Sequence, residues 1–139
     1  MKTVLIFGTF DILHIGHINL FKQAIKHGDN LIVVIARDKR VKQIKGSTPV
    51  HSELERKEIL EHINIIDKIY LGDPNDVYKP IKDISPDIIA LGYDQQIFTD
   101  KLEEKIKEFK LNTKIIRLKP YKNSEYKSGI IKKNLLKSI

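Results

Sequence analysis

A chain of 139 residues is the size of one domain built around one core. It has no cysteine, which excludes a disulfide framework, a zinc knuckle and thiol chemistry, and no apolar run approaches the ~18–20 residues of a membrane span. The net charge of +7 admits nucleic acid, an anionic membrane surface or phosphate-rich small substrates as partners.

The basic residues are spread along the chain, densest at 37–45 and 127–137, and are not interleaved with aromatics as a single-strand platform requires. Neither specific nucleic-acid binding nor a membrane partner is therefore expected. The first apolar run, Val4-Leu5-Ile6-Phe7, is too short for a signal peptide, so the expected compartment is the cytoplasm.

In chain order, residues 3–7 read as a strand. Residues 17–27 carry Ile18, Phe21 and Ile25 at helical spacing, with Gly28 where a C-cap belongs. Residues 31–36 form a short apolar run of the kind found in buried parallel strands. A capping box, Ser52 with Glu55, opens a helix over 52–63. A strand over 68–71 ends at Gly72-Asp73-Pro74. A helix over 76–84 stops before Pro86. A strand over 87–91, a helix over 99–109 and a last strand over 114–118 follow. After Pro120 a polar stretch leads into a terminal helix over 124–136. Five strands separated by four helices describe a single α/β domain over 1–139, with a doubly wound five-stranded parallel sheet.

Ligands of such sheets bind beyond the carboxyl ends of the strands. Gly8-Thr9-Phe10-Asp11 and His14 follow the first strand here, and Arg37 and Asp38 the second. Gly92-Tyr93-Asp94-Gln95 follow the fourth, and Lys119, Tyr121 and Lys122 the fifth. Gly8 lets the backbone turn tightly, with positive φ allowed. His14 sits in the loop and His17 at the start of the next helix, whose N-terminus attracts phosphate. Gly16 between them lets a nucleotide approach the backbone. Two imidazoles placed there can donate hydrogen bonds to a phosphoryl group, in a reaction that needs alignment and charge stabilisation. The turn lacks G-x-G-x-x-G and the P-loop pattern, which disfavours a dinucleotide site or a Walker ATPase.

Gly8-Thr9-Phe10-Asp11 followed by His14-Ile15-Gly16-His17 resembles the cytidylyltransferase-like branch of the HxGH nucleotidyltransferases, a family with a Rossmann-like fold. Class I aminoacyl-tRNA synthetases share the tetrad, but 139 residues leave no room for their amino-acid and tRNA sites. The resemblance covers nearly the whole chain. It implies in-line attack of an acceptor phosphate on the α-phosphorus of a nucleoside triphosphate, with pyrophosphate released. His14 and His17 would stabilise the transition state, and Gly8, Thr9, Phe10, Ile15 and Gly16 would line the nucleotide. Lys45 matches a mobile basic loop and is the third catalytic candidate. Asp94 would contact base or ribose, and Tyr121 and Ser128 would take part in nucleotide binding. Asp11, Arg37 and Arg56 are assigned to the acceptor.

The family's C-terminal phosphate-binding arginine is missing, and Lys122 or Lys127 would replace its charge as point donors. The resemblance further implies a homodimer. It also implies a divalent cation, Mg²⁺, carried by the nucleotide phosphates, with no metal ligands expected from the chain. Val34-Ile35-Ala36-Arg37-Asp38 and Ala90-Leu91-Gly92-Tyr93-Asp94-Gln95 are most similar to the archaeal FAD synthase group, which adenylylates FMN with ATP. Glycerol-3-phosphate cytidylyltransferase, a sugar-phosphate nucleotidylyltransferase and a non-enzymatic binding module remain the alternatives. The histidine pair argues against the last, because binding alone does not require it.

Overall fold

The uninterrupted apolar runs become strands covered on both faces. In β1 (Thr3–Gly8) Val4 and Ile6 face one side of the sheet and Leu5 the other, and all three are buried. In β2 (Asn30–Ile35) Leu31, Val33 and Ile35 join the first face and Val34 the second. The third strand, β3 (Lys68–Leu71), lies at one edge, with Lys68 and Tyr70 exposed and Ile69 and Leu71 half-buried. In β4 (Ile88–Leu91) Ile88 and Ala90 pack on the first face, Ile89 and Leu91 on the second. The other edge is β5 (Lys114–Arg117). All pairings are parallel, in the order β3-β2-β1-β4-β5. This is the computed structural model of the chain, and it describes residues 1–95 and 99–120. The terminal helix expected over 124–136 lies outside the described residues, as do Tyr121, Lys122, Lys127 and Ser128.

Helices cover both faces. Phe21 and Ala24 of α1 (Ile15–Ile25) and, further along, Leu60 of α3 (Glu53–Glu61) fill the first face. Ile81 of α4 (Lys79–Ile84) and Leu102 and Ile106 of α5 (Leu102–Glu108) fill the second. Each such large apolar side chain contributes about 1.5–3 kcal/mol by leaving water. The chain runs outward from β1 through β2 to β3, then returns to the far side of β1 as β4. The carboxyl ends of β1 and β4 therefore flank the topological switch point, where a ligand crevice forms.

Three local expectations are corrected. The first helix begins at Ile15, two residues earlier than its apolar spacing suggested, with His14 as its N-cap. Gly28 is no left-handed cap: the C-cap is Lys26, and Gly28 has no positive φ. A Cβ at Gly28 would stand 2.8 Å from Lys2 O and 2.7 Å from Val4 Cγ2, so close packing demands the glycine.

The basic stretch around Lys45 is the helix α2 (Asp38–Lys45), which ends at Gly46 with φ 80 in the left-handed region. Only Val41 of this helix is buried, so it carries no apolar period for a sequence reading to detect.

Candidate active site

The HxGH segment builds its own geometry. His14 Nδ1 accepts the Gly16 N–H at 3.1 Å, and His17 Nδ1 accepts the His14 N–H at 3.2 Å. This is a capping box in which imidazoles take the places usually held by a hydroxyl or carboxylate at the cap and by Glu or Gln at N3. An Nδ1 that accepts a backbone N–H cannot carry the proton of the neutral ring. Both neutral histidines therefore hold it on Nε2.

Burial pushes both pKa values down, that of His17 to about 4, with the neighbouring His14 adding to the effect at His17. The ring centroids are 3.9 Å apart. Near pH 7 the loop thus presents two adjacent neutral rings with Nε2–H donors at the N-terminus of α1.

Phe10 holds this arrangement from below. Its ring meets His17 edge-on with centroids 5.4 Å apart, and it packs against Phe21 at the same distance. Phe10 is buried, with φ 50, and its ring belongs to the core. Gly8 is required for a different reason from the one expected. It has no positive φ, but a Cβ there would stand 2.6 Å from two Phe10 ring atoms. Ile15 is exposed at the first position of α1.

The charges of Asp11, Arg37 and Arg56, the residues expected at the acceptor, are turned on the protein itself. The buried Asp11 carboxylate accepts from Val50 N at 2.7 Å and His51 N at 2.8 Å. Arg56 is fully buried, and its guanidinium donates to Thr9 O at 2.7 Å, His51 O at 3.1 Å and Asp38 Oδ1 at 2.6 Å. Arg37 donates to Gly72 O and to Glu53 Oε2, each at 2.7 Å.

Glu53 and Asp38 complete the network by capping each other's helix. Asp38 N donates to Glu53 Oε1 at 2.9 Å, and Glu53 N donates to Asp38 Oδ2 at 3.1 Å. Negative carboxylates thus meet the positive N-termini of α2 and α3, while two arginines balance their charge. The network fixes the backbone of Thr9, on the turn that carries the histidines.

Lys45 is exposed at the end of α2, and Asp94 is exposed beyond β4. Two polar side chains that clasp strand exits escaped the sequence reading. The Gln23 side chain donates to Lys119 O at 2.8 Å and accepts from Lys119 N at 2.9 Å, tying the exit of β5 to α1. Arg117 donates to Gly92 O at 2.8 Å, beside Asp94. Only the fold brings Gln23 and Lys119 together, 96 positions apart in the chain.

Over residues 5–134 the sequence matches the cytidylyltransferase-like family. The chain belongs to that family. It is 44% identical over 129 residues to the FAD synthase of Archaeoglobus profundus, covering 93% of this chain and 82% of the relative. It is 39% identical over 137 residues to the FAD synthase of Methanohalophilus mahii, covering 98% and 95%. The crystal structure of the lipopolysaccharide core biosynthesis protein of Thermoplasma volcanium GSS1 superposes with a TM-score of 0.81 at 38% identity, over 87% of this chain and 98% of that one. Within this cytidylyltransferase-like chain, no helix among the described residues is long and apolar enough to cross a membrane.

Proposed function

We propose that the chain is an FMN adenylyltransferase, transferring AMP from ATP to FMN to give FAD and pyrophosphate. The observation that carries the chemistry is the reciprocal histidine cap, which fixes two neutral Nε2–H donors at a helix N-terminus. The similarity to FAD synthases over nearly the whole chain supports the choice of substrates.

A terminal phosphate oxygen of FMN attacks the α-phosphorus of ATP, forming one P–O bond as the bond to the β-phosphate oxygen breaks. Pyrophosphate leaves with that electron pair. FMN phosphate is already ionised at neutral pH, so no strong general base is needed. His14 and His17 donate from Nε2 to the non-bridging oxygens on which charge accumulates, and the positive end of the α1 dipole adds to the same field.

Neutral rings suit this role, because they stabilise developing charge without holding the highly charged ground state as firmly as an imidazolium would. Thr9 is kept in place by Arg56. Lys45 and Asp94 contact the phosphates and the nucleoside respectively, with Tyr121 and Ser128 completing the nucleotide site.

Nucleotidyltransferases of this kind generally use a divalent cation. Mg²⁺ carried by the nucleotide phosphates would neutralise the charge that keeps the two anionic substrates apart. The cytoplasm and a homodimeric state complete the proposal, both by likeness to the family.

Incubation with ATP, FMN and Mg²⁺ is expected to yield FAD and pyrophosphate by mass, while CTP with glycerol 3-phosphate yields nothing. CDP-glycerol in place of FAD would overturn the substrate assignment and leave the histidine chemistry intact.

A further inference from the structure

The register of β1 against β4 leaves one rung of the sheet to a side chain. Val4 pairs with Ile88 and Leu5 with Ile89; two residues further, the same register sets Phe7 opposite Leu91. Where strands end in this sheet, a carbonyl takes the N–H one residue beyond its partner. Gly8, paired with Ile35, accepts from Ala36 N, and Leu91, paired with Arg117, accepts from Leu118 N. Carbonyls alternate sides along a strand, so Phe7 O points toward β4 and Gly92 N points toward β1.

The Gln95 amide stands between these two groups. Gly92 N donates to Gln95 Oε1 at 3.2 Å, and Gln95 Nε2 donates to Phe7 O in a long bond of 3.4 Å. One direct rung has become a two-step bridge at the switch point. The Gln95 amide stands where Gly92 N would otherwise meet Phe7 O.

A second clasp acts from the other side. Gln95 N donates to Gly92 O at 3.1 Å, closing a tight turn with Tyr93 and Asp94 at its tip. Arg117, the last residue of β5, donates from Nη1 to Gly92 O at 2.8 Å and also to Gln95 O. Both ends of the turn are thus fastened to one guanidinium nitrogen.

We infer that Gln95 and Arg117 are positioning residues for the nucleotide: Gln95 sets the opening between β1 and β4, and Arg117 locks the turn that carries Asp94. The inference rests on the reading above, in which ATP occupies this crevice. Without the Gln95 amide, the bridge between Phe7 O and Gly92 N is lost. Without Arg117, two carbonyls lose a charged donor and the turn loses its fixed position.

The test is calorimetric titration of the full-length protein with ATP and Mg²⁺ in the absence of FMN, a separate FMN titration, and an independent FAD assay. Gln95→Ala and Arg117→Met should each raise the Kd for ATP about tenfold, the scale of losing a polar clamp, with the Kd for FMN changing much less. Arg117→Lys should restore most of the ATP affinity, because one ammonium can serve both carbonyls. Arg117 is exposed, so its variants fold even if Gln95→Ala does not. Unchanged ATP affinity in Arg117→Met, or equal losses for ATP and FMN, would overturn the inference. Wild-type protein that binds ATP yet forms no FAD would defeat the functional proposal alone, and wild-type protein that binds no ATP would defeat both.

Discussion

His14 caps α1 through Nδ1 while keeping its proton on Nε2, so one substitution removes a helix cap and a donor together. His14→Ala should therefore cost about 1 kcal/mol of stability in urea unfolding, the usual scale of a lost N-cap. His14→Ser should recover that stability, because a hydroxyl accepts the same N–H, without recovering turnover. Equal stability of the alanine and serine variants would show that the cap is not formed.

The pKa of His17 gives a pH dependence of definite sign. Its folded value of about 4 lies below the ordinary 6.5, so the unfolded chain binds the extra proton between these limits. Stability is then full above pH 6.5 and falls as the pH drops toward 4, by up to about 3 kcal/mol from this residue, and the lowered pKa of His14 adds in the same direction. His17→Ala should flatten the slope, and an unchanged slope would refute the assignment. The histidine pair was legible in the sequence because two such residues framing a glycine after Gly-Thr-Phe-Asp form a specific pattern. The tautomer was not, since it depends on which ring nitrogen meets which N–H.

Between elements, the arginines and carboxylates of α2 and α3 hold the β1–α1 turn. Arg56→Met keeps much of the volume but strands Asp38, Thr9 O and His51 O. A loss of about 3 kcal/mol or more is expected in denaturant unfolding, the scale of breaking a buried ion pair. Arg56→Lys should recover little of it, since a point charge cannot reach three acceptors along a planar fork. A loss below about 1 kcal/mol for both would show that the network contributes only surface-like pairs.

Sequence reasoning placed Arg56 on the right helix, through the Ser52–Glu55 box, but could not show that it is buried. An arginine is ordinarily solvent-facing, and only the fold shows that three acceptors converge on a buried one. Helix α2 was missed for a related reason: its ends are set by Glu53 and Gly46, and an eight-residue helix with one buried side chain has no readable period.

For the molecule as a whole, the parallel sheet was legible because its central strands are apolar on both faces. The clustering of polar residues after strands 1, 2, 4 and 5 marked the carboxyl end of the sheet as the ligand side, and the strand order then placed the switch point between β1 and β4. What the sequence could not show is the geometry of the crevice, since the Gln95 bridge exists only in the β1–β4 register. The central claim concerns what lies at that crevice: two neutral imidazoles that stabilise the transfer of an adenylyl group. Its most direct measurement is the single-turnover rate of FAD formation at saturating ATP, FMN and Mg²⁺, for wild type, His14→Ser and His17→Ala. Each variant should be slower by about 10²-fold or more, the scale of a lost transition-state donor, with His14→Ser melting close to wild type. FAD formed by both variants within about threefold of the wild-type rate, well short of that loss, would contradict the claim.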